Sequence, residues 1–261
     1  MRYIVDNDLH IHSQISACSC DPEQTPERIL KYALDNGIKT LCLADHFWDD
    51  SVEGASDWYK PQNYDRISKA KPLPQAEGVR FLFGCETELN SELTLGISKE
   101  NYDKFDFIVI PTTHFHMRGY TLTEEEAATA QTRADTWVKH FEAVLDMDLP
   151  FHKVGIAHLV CPLMGKECYK EMLELLPVYE MTRLFSKAAK LGVGIELNAT
   201  DITHILEIEY AARPFRIAKE CGCKFYFGSD AHHPDKLDKC KNLFEKAVDL
   251  LELTEDDKFR I

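Results

Sequence analysis

Seven short apolar runs in this chain each finish in side chains able to bind a divalent cation. His10 and His12 close the first run, Asp45 and His46 follow the second, and Glu86 and Glu88 the third. His114 and His116 follow the fourth, His158 the fifth, Glu196 and Asn198 close the sixth, and Asp230 and His232 follow the seventh. Taken singly, each has an ordinary explanation. An HxH pair on a strand aims both imidazoles to one side because the side-chain period is two, GCETE suits a solvated turn, and ELNAT suits an Asx turn. The recurrence carries the argument. Six of the eleven histidines, at 10, 12, 46, 114, 158 and 232, stand at these ends, whereas His116, His140, His152, His204 and His233 are assigned to structure or periphery. Imidazole nitrogen with carboxylate oxygen suits zinc, manganese or iron. The donors outnumber those that surround one tetrahedral ion, so two or three ions sharing at least one carboxylate are expected. Water held between two such ions ionises near neutral pH, and no protein nucleophile is then required.

Such residues can meet only if the strand ends converge. Strands are expected over 3–11, 38–44, 79–84, 106–110, 153–157, 193–197 and 223–228, alternating with helices. The helix over 26–36 is the clearest: Thr25 suits the N-cap, Pro26 the first turn, and Gly37 the stop. Further helices are expected over 124–147, 207–220 and 239–252. Continuous apolar strands alternating with helices predict a parallel sheet covered by helices. A closed barrel explains the ligands best, because its C-terminal strand ends share one face. Residues 47–78 break the rhythm, with Pro61, Pro72, Pro74, Trp58 and Tyr59 and no strand pattern. They are expected to form an irregular insertion within one domain spanning 1–261, a stretch of the kind that serves as a lid. Its aromatic residues either cap the cleft or pack on the barrel.

With 261 residues, 44% hydrophobic and 28% charged, the chain has ordinary globular composition. No run of about 18 apolar residues suggests a membrane span, and the N-terminus lacks a signal-peptide core. Nine scattered cysteines without a CxxC pair fit reduced thiols rather than a disulfide framework. A soluble, cytoplasmic protein is expected. The formal charge of −14 disfavours a long nucleic acid partner. An anionic substrate then needs local positive charge, which bound cations supply.

DLHIHS, LADH, GCE, TTH, IAH, ELN and GSDAH, in this order from residue 8 to about 235, resemble the PHP family, named for polymerase and histidinol phosphatase. The resemblance implies a distorted seven-stranded (βα) barrel and phosphoester hydrolysis at three metal ions. Carried over by motif, His10, His12, Glu86 and Asp230 hold one ion. Glu86 bridges to a second on His114 and His158. A third rests on His46, His232 and a residue in the loop after HIH. Some relatives have a histidine in that loop; here SQISACSCDPEQTP has none. CDPEQTP matches another family pattern with Asp21 in the ligand place, and Cys18 and Cys20 are its substitutes.

Glu86 is accordingly the bridging ligand, while Glu196, Asn198 and Asp45 orient histidines. Arg118 and Arg213 are candidates to hold phosphate bidentately, or are surface charges. His233 or Asp45 is a candidate to assist the leaving group. A small phosphomonoester such as histidinol phosphate is the expected substrate, with a nucleotide or oligonucleotide as the alternative. A catalytically silent metal-binding module is the reading from another class. An amidohydrolase-type barrel fits less well, since no lysine ends a middle strand where that type carries its bridging carbamate.

Overall fold

The computed structural model describes residues 1–19 and 21–261. The chain opens with β1 (Asn7–Ile11), α1 (Pro26–Asn36), β2 (Thr40–Leu43) and β3 (His46–Phe47). It continues through α2 (Tyr64–Ile67), β4 (Arg80–Phe83), β5 (Cys85–Thr87), β6 (Ile108–Pro111), α3 (Ala130–Asp146) and β7 (Val154–Ala157). After α4 (Tyr169–Leu175), α5 (Val178–Leu191), β8 (Gly194–Asn198), α6 (Ala199–Ile205) and α7 (Glu209–Glu220), it ends on β9 (Lys224–Gly228) and α8 (Pro234–Leu250). Every strand pair is parallel, so this is an α/β fold of the expected kind.

Seven strand lines follow the chain order, two of them broken in the middle. β1, β2 and β4 form one sheet; β3, β5, β6, β7, β8 and β9 form the other. β3 prolongs β2 and β5 prolongs β4, because Gly84 donates to the Leu43 carbonyl at 2.8 Å and Glu86 to the Asp45 carbonyl at 3.0 Å. Gly84 stands at this kink since a Cβ there would lie 2.5 Å from Cys42 Sγ and from the Phe107 carbonyl. The last strand returns beside the first, but their seam is not a continuous ladder. Asn7 Oδ1 accepts from Phe227 N and Asp8 Oδ1 from Ser229 N, both at 2.9 Å, where backbone carbonyls would otherwise serve. Further along, Asp230 N donates to the His10 carbonyl at 2.7 Å and His12 N to the Ala231 carbonyl at 3.2 Å. Burial pushes the Asp8 carboxyl up to about 7 against the opposing Ser229 hydrogen bonds.

Two hydrophobic clusters separate the inside of this curl from its outside. Leu9, Cys42, Leu82, Val109, Ala157 and Tyr226 meet in the small inner cluster, closed by Phe259 near the C-terminus. The large cluster lies between the strands and the helices. The β1–β2 register slips between Asp8 and Ile11. An irregularity of this kind re-aims side chains, and here Leu9 joins the inner cluster while Ile11 joins the outer one.

α1 forms as expected, with Thr25 Oγ1 accepting from Arg28 N and Gly37 closing in the left-handed region at φ 68°. The expected helix over 124–147 begins only at Ala130, because Thr123 and Glu126 bond each other in a separate turn and Thr129 caps the helix in a box with Thr132. The first strand is shorter than its apolar run; Tyr3 N pairs instead with the Leu253 carbonyl. Residues 47–78 hold α2 and a 3₁₀ turn over Ser68–Ala70, with Trp48 and Tyr59 buried. Among the described residues no helix is long and apolar enough to cross a membrane.

The seam makes one residue testable. Asn7→Ala removes the acceptor of Phe227 N and the donor to the Tyr3 hydroxyl. Stranding buried polar groups is expected to lower stability by about 1–3 kcal/mol, read as a lower urea midpoint at unchanged slope.

Candidate metal centre

The parallel register sets the ligands side by side at the C-terminal strand ends. β3 pairs with β5 so that His46 stands opposite Glu86. His10 and His12 arrive from β1, His114 from the turn after β6, and His158 directly after β7. Asp230 and His232 follow β9. His158 and Asp230 have φ of 55° and 50°, a backbone region that non-glycine residues enter at some cost and that recurs at functional sites.

Glu86 lies at the middle, 1% exposed. Its Oε2 is 3.5 Å from His10 Nε2, 3.3 Å from His12 Nε2 and 2.8 Å from His46 Nδ1. Its Oε1 is 3.9 Å from His114 Nε2 and 3.6 Å from His158 Nε2. One carboxylate thus turns each oxygen toward a different set of imidazoles. Asp230 adds a second acid, with Oδ1 3.2 Å from His12 Nε2 and Oδ2 3.5 Å from His158 Nε2.

A further layer fixes the rings. Glu196 Oε1 holds His10 Nδ1 at 2.7 Å, Glu88 Oε2 holds His114 Nδ1 at 2.7 Å, and the Asp230 carbonyl meets His232 Nδ1 at 2.8 Å. Glu88 is braced by the Tyr59 hydroxyl at 3.1 Å, and Glu196 by His158 N and Asn198 Nδ2. Occupied Nδ1 atoms leave Nε2 to face the centre, the usual arrangement of metal-binding histidine.

The donor set fits divalent cations on its own chemistry. Both oxygens of Glu86, and Nδ1 of His12, His46 and His158, are buried without a hydrogen-bond partner. Buried polar atoms seldom remain so. Five groups among the described residues have ligand atoms within 4.8 Å of one another: His10, His12 and Glu86; Glu86, His114 and His158; His12, Cys18, His46 and His232; His10, His158 and Glu196; and His158, Cys161 and Asp201. Burial opposes charge on His10, yet Glu196 and then Glu86 raise its pKa to about 10. Burial likewise opposes ionisation of Glu86, but His46 and His10 hold its carboxyl well below the ordinary range. Positive charge is therefore what this carboxylate demands from its surroundings.

Several expected roles do not match the geometry. Asp21 pairs with His233 Nε2 at 2.7 Å and belongs to none of the candidate ligand groups among the described residues. The member of its loop that reaches the histidines is Cys18; Cys20 lies outside the described residues. Burial works against Cys18 ionising, but His12, and then His232 and His46, bring its thiol down to about 3. His233 caps α8, its Nδ1 accepting from Asp235 N, and does not line the cleft. Both oxygens of Asp45 are taken by Ser13 N and Oγ at 2.7 Å, so it braces the HIH turn rather than serving a leaving group. Arg118 is exposed and paired with Glu167, and Arg213 donates to the carbonyls of Leu173, Glu174 and Leu176 at the C-terminal end of α4. Neither arginine lines the cleft.

The cleft over the cluster has a volume of about 570 Å³. Trp58, Tyr59, Tyr120, Met117 and Leu163 form walls above Glu86 and its histidines, and no lysine or arginine lines it among the described residues. His116, set aside by sequence reasoning, also lines it, with its pKa pushed down to about 4 by burial and then by His114 and His158. Its position two residues after His114 was the only available signal.

The PHP domain family matches residues 8–200, more than half of the chain. The chain belongs to the PHP domain family. No curated protein matches it in sequence. Among solved structures, this PHP chain is similar to the histidinol phosphate phosphatase of Lactococcus lactis subsp. lactis Il1403, determined with zinc, L-histidinol and phosphate; identity is 15%, the TM-score 0.57, and 94% of each chain is covered. It is also similar to a Listeria monocytogenes protein provisionally named as a histidinol phosphatase, at 12% identity and a TM-score of 0.62, over 91% of this chain and 99% of that one. These likenesses bear on the fold.

Glu196 holds His10 Nδ1 and the His158 backbone N–H, and so acts on the cluster through those two histidines. Glu196→Gln is expected to weaken metal binding by about 10- to 100-fold, the usual effect of removing such a partner, with the far-ultraviolet circular dichroism unchanged. Titration of the metal-free protein with zinc against a competing chelator measures it.

Proposed function

We propose that this PHP-family chain hydrolyses small phosphomonoesters with water activated at a cluster of two or three divalent cations. The observation that carries the reading is Glu86, whose unpartnered oxygens face two separate groups of imidazoles. His10, His12, Glu86 and Asp230 would hold one ion, Glu86, His114 and His158 a second, and His46 with His232 part of a third. Cations so placed supply a hydroxide at neutral pH and neutralise the phosphoryl oxygens. The chain's own contribution is positional. Glu196 and Glu88 fix the rings, and Trp58 and Tyr120 wall the cleft above them.

The cleft also supports a choice of substrate class. Additional phosphates of a nucleotide would meet no lysine or arginine in it, and a volume of about 570 Å³ suits one small molecule. Trp58 is 41% exposed and lies edge-on to His46, with ring centroids 4.9 Å apart. A planar alcohol half, such as the imidazole of histidinol phosphate, would lie against that indole while its phosphate reaches the cations. The Lactococcus relative was determined with L-histidinol and phosphate, which makes histidinol phosphate the first substrate to try. The outer hydrophobic cluster runs from Tyr3 to Leu253, which supports one domain in which the 47–78 stretch supplies a cleft wall.

Two measurements test this. Phosphate release is expected from histidinol phosphate and other small monoesters, to cease on chelation and return with added metal, and to fall to background in Glu86→Gln; equal turnover by that variant would leave a metal-binding module without catalysis. Trp58→Ala is expected to raise KM for an aromatic phosphomonoester roughly 2- to 10-fold, matching an aromatic contact of ~0.5–1.5 kcal/mol, while leaving glycerol phosphate turnover unchanged.

A further inference from the structure

We propose that the third cation position is a thiolate site, in which Cys18 joins His46 and His232, with His12 in reach of the same point, to favour zinc over manganese. The inference rests on reading the cleft as a metal cluster and adds the ligand which that reading leaves open.

The four ligand atoms lie within 4.8 Å of one another. The rings are packed to match: His12 and His232 stack with centroids 4.3 Å apart at 22°, and His12 and His46 lie 4.7 Å apart at 33°. His232 has its Nδ1 against the Asp230 carbonyl, which turns Nε2 toward the cleft. His12 and His46 are both buried, and His46 keeps an unpartnered Nδ1 on the cluster side of its ring, 2.8 Å from Glu86 Oε2. That buried nitrogen points to a ligand independently of the cysteine.

Cys18 is held in place on both sides. Ala17 N donates to Gln62 Oε1 at 2.9 Å, and Ser19 Oγ donates to the His232 carbonyl at 2.8 Å. Upstream, Gln14 N bonds the Gln24 carbonyl, and Gln24 Nε2 bonds the carbonyls of His12 and Ala231, each at 3.0 Å. Ser16 Oγ lies 3.2 Å from the sulfur. This bracing directs the thiol at the three imidazoles and leaves Asp21 paired with His233. Sulfur with imidazole is a softer donor set than carboxylate with imidazole. It selects zinc over manganese, whereas the two carboxylate-bearing positions accept either.

The test uses the full chain, freed of metal and reloaded with cobalt(II) or zinc. The wild type is expected to show a near-ultraviolet sulfur-to-cobalt charge-transfer band and to keep one zinc per chain after dialysis against excess manganese. Cys18→Ser is expected to lose the band and one equivalent of metal per chain. Cys18→His is expected to lose the band but recover the equivalent, which separates ligation from misfolding, and Asp21→Asn is expected to keep both. A cobalt-loaded wild type without the band, or a Cys18→Ser protein that retains band and stoichiometry, overturns the assignment while the cluster stands. A wild type that binds no cation overturns both this assignment and the proposed function.

Discussion

A carboxylate buried to 1% exposure with neither oxygen hydrogen-bonded is the constraint on which the rest of this structure turns. An isolated buried charge is among the least tolerable features of a protein interior. Glu86 is tolerable only because five imidazoles approach it within 3.9 Å. In the absence of cations the proton affinities of His10, His12, His46 and His158 are raised against the opposition of burial, those of His10 and His46 to about 10 and about 9. Protons and cations therefore compete for the same lone pairs. The geometry favours the cations, since Nε2 of His12 and Nε2 of His158 each face both Glu86 and Asp230 at 3.2–3.6 Å.

The scaffold bears the strain of this convergence at identifiable places. Where the first strand meets the last, side chains of Asn7 and Asp8 replace backbone acceptors. The ladder between β1 and β2 slips just before the HIH motif. Asp230 and His158 turn through left-handed backbone directly after their strands. Each irregularity lies within three residues of a proposed ligand, and the straight parts of the strands fill the inner and outer clusters. Regular structure supplies stability here, and its interruptions supply aim.

That division also explains what the sequence disclosed. The strand-end donors His10, His12, His46, Glu86, His114, His158, Asp230 and His232 were legible because each stands at or within a few residues of the end of an apolar run, and parallel pairing brings such positions together without any knowledge of the loops. The loop after HIH offers three donors in four residues and no periodicity to rank them. What selects Cys18 is Ser19 reaching the His232 carbonyl and Ala17 reaching Gln62, contacts between residues distant in the chain. The choice for Arg213 between phosphate holder and surface charge stayed open for a related reason. Its guanidinium serves the carbonyls that end α4, a helix of seven residues too short to announce itself by periodicity. The start of α3 was hidden by the reciprocal Thr123–Glu126 turn, since three successive glutamates suit a first helical turn equally well.

The charge distribution completes the argument about what the cleft admits. A chain with formal charge −14 repels anions at long range, and its cleft is lined by no lysine or arginine among the described residues. Attraction for a phosphate must then come from the floor alone, where bound cations become the largest local charges. Attraction for the remainder of the molecule must come from Trp58, Met117 and Leu163, which reward planar or apolar surface and give nothing to a second anionic group. Under the proposed function, a ligand with one phosphate and one flat, non-anionic half would meet both requirements. A polyanion satisfies only the first and meets the field of the whole protein for the rest of its length.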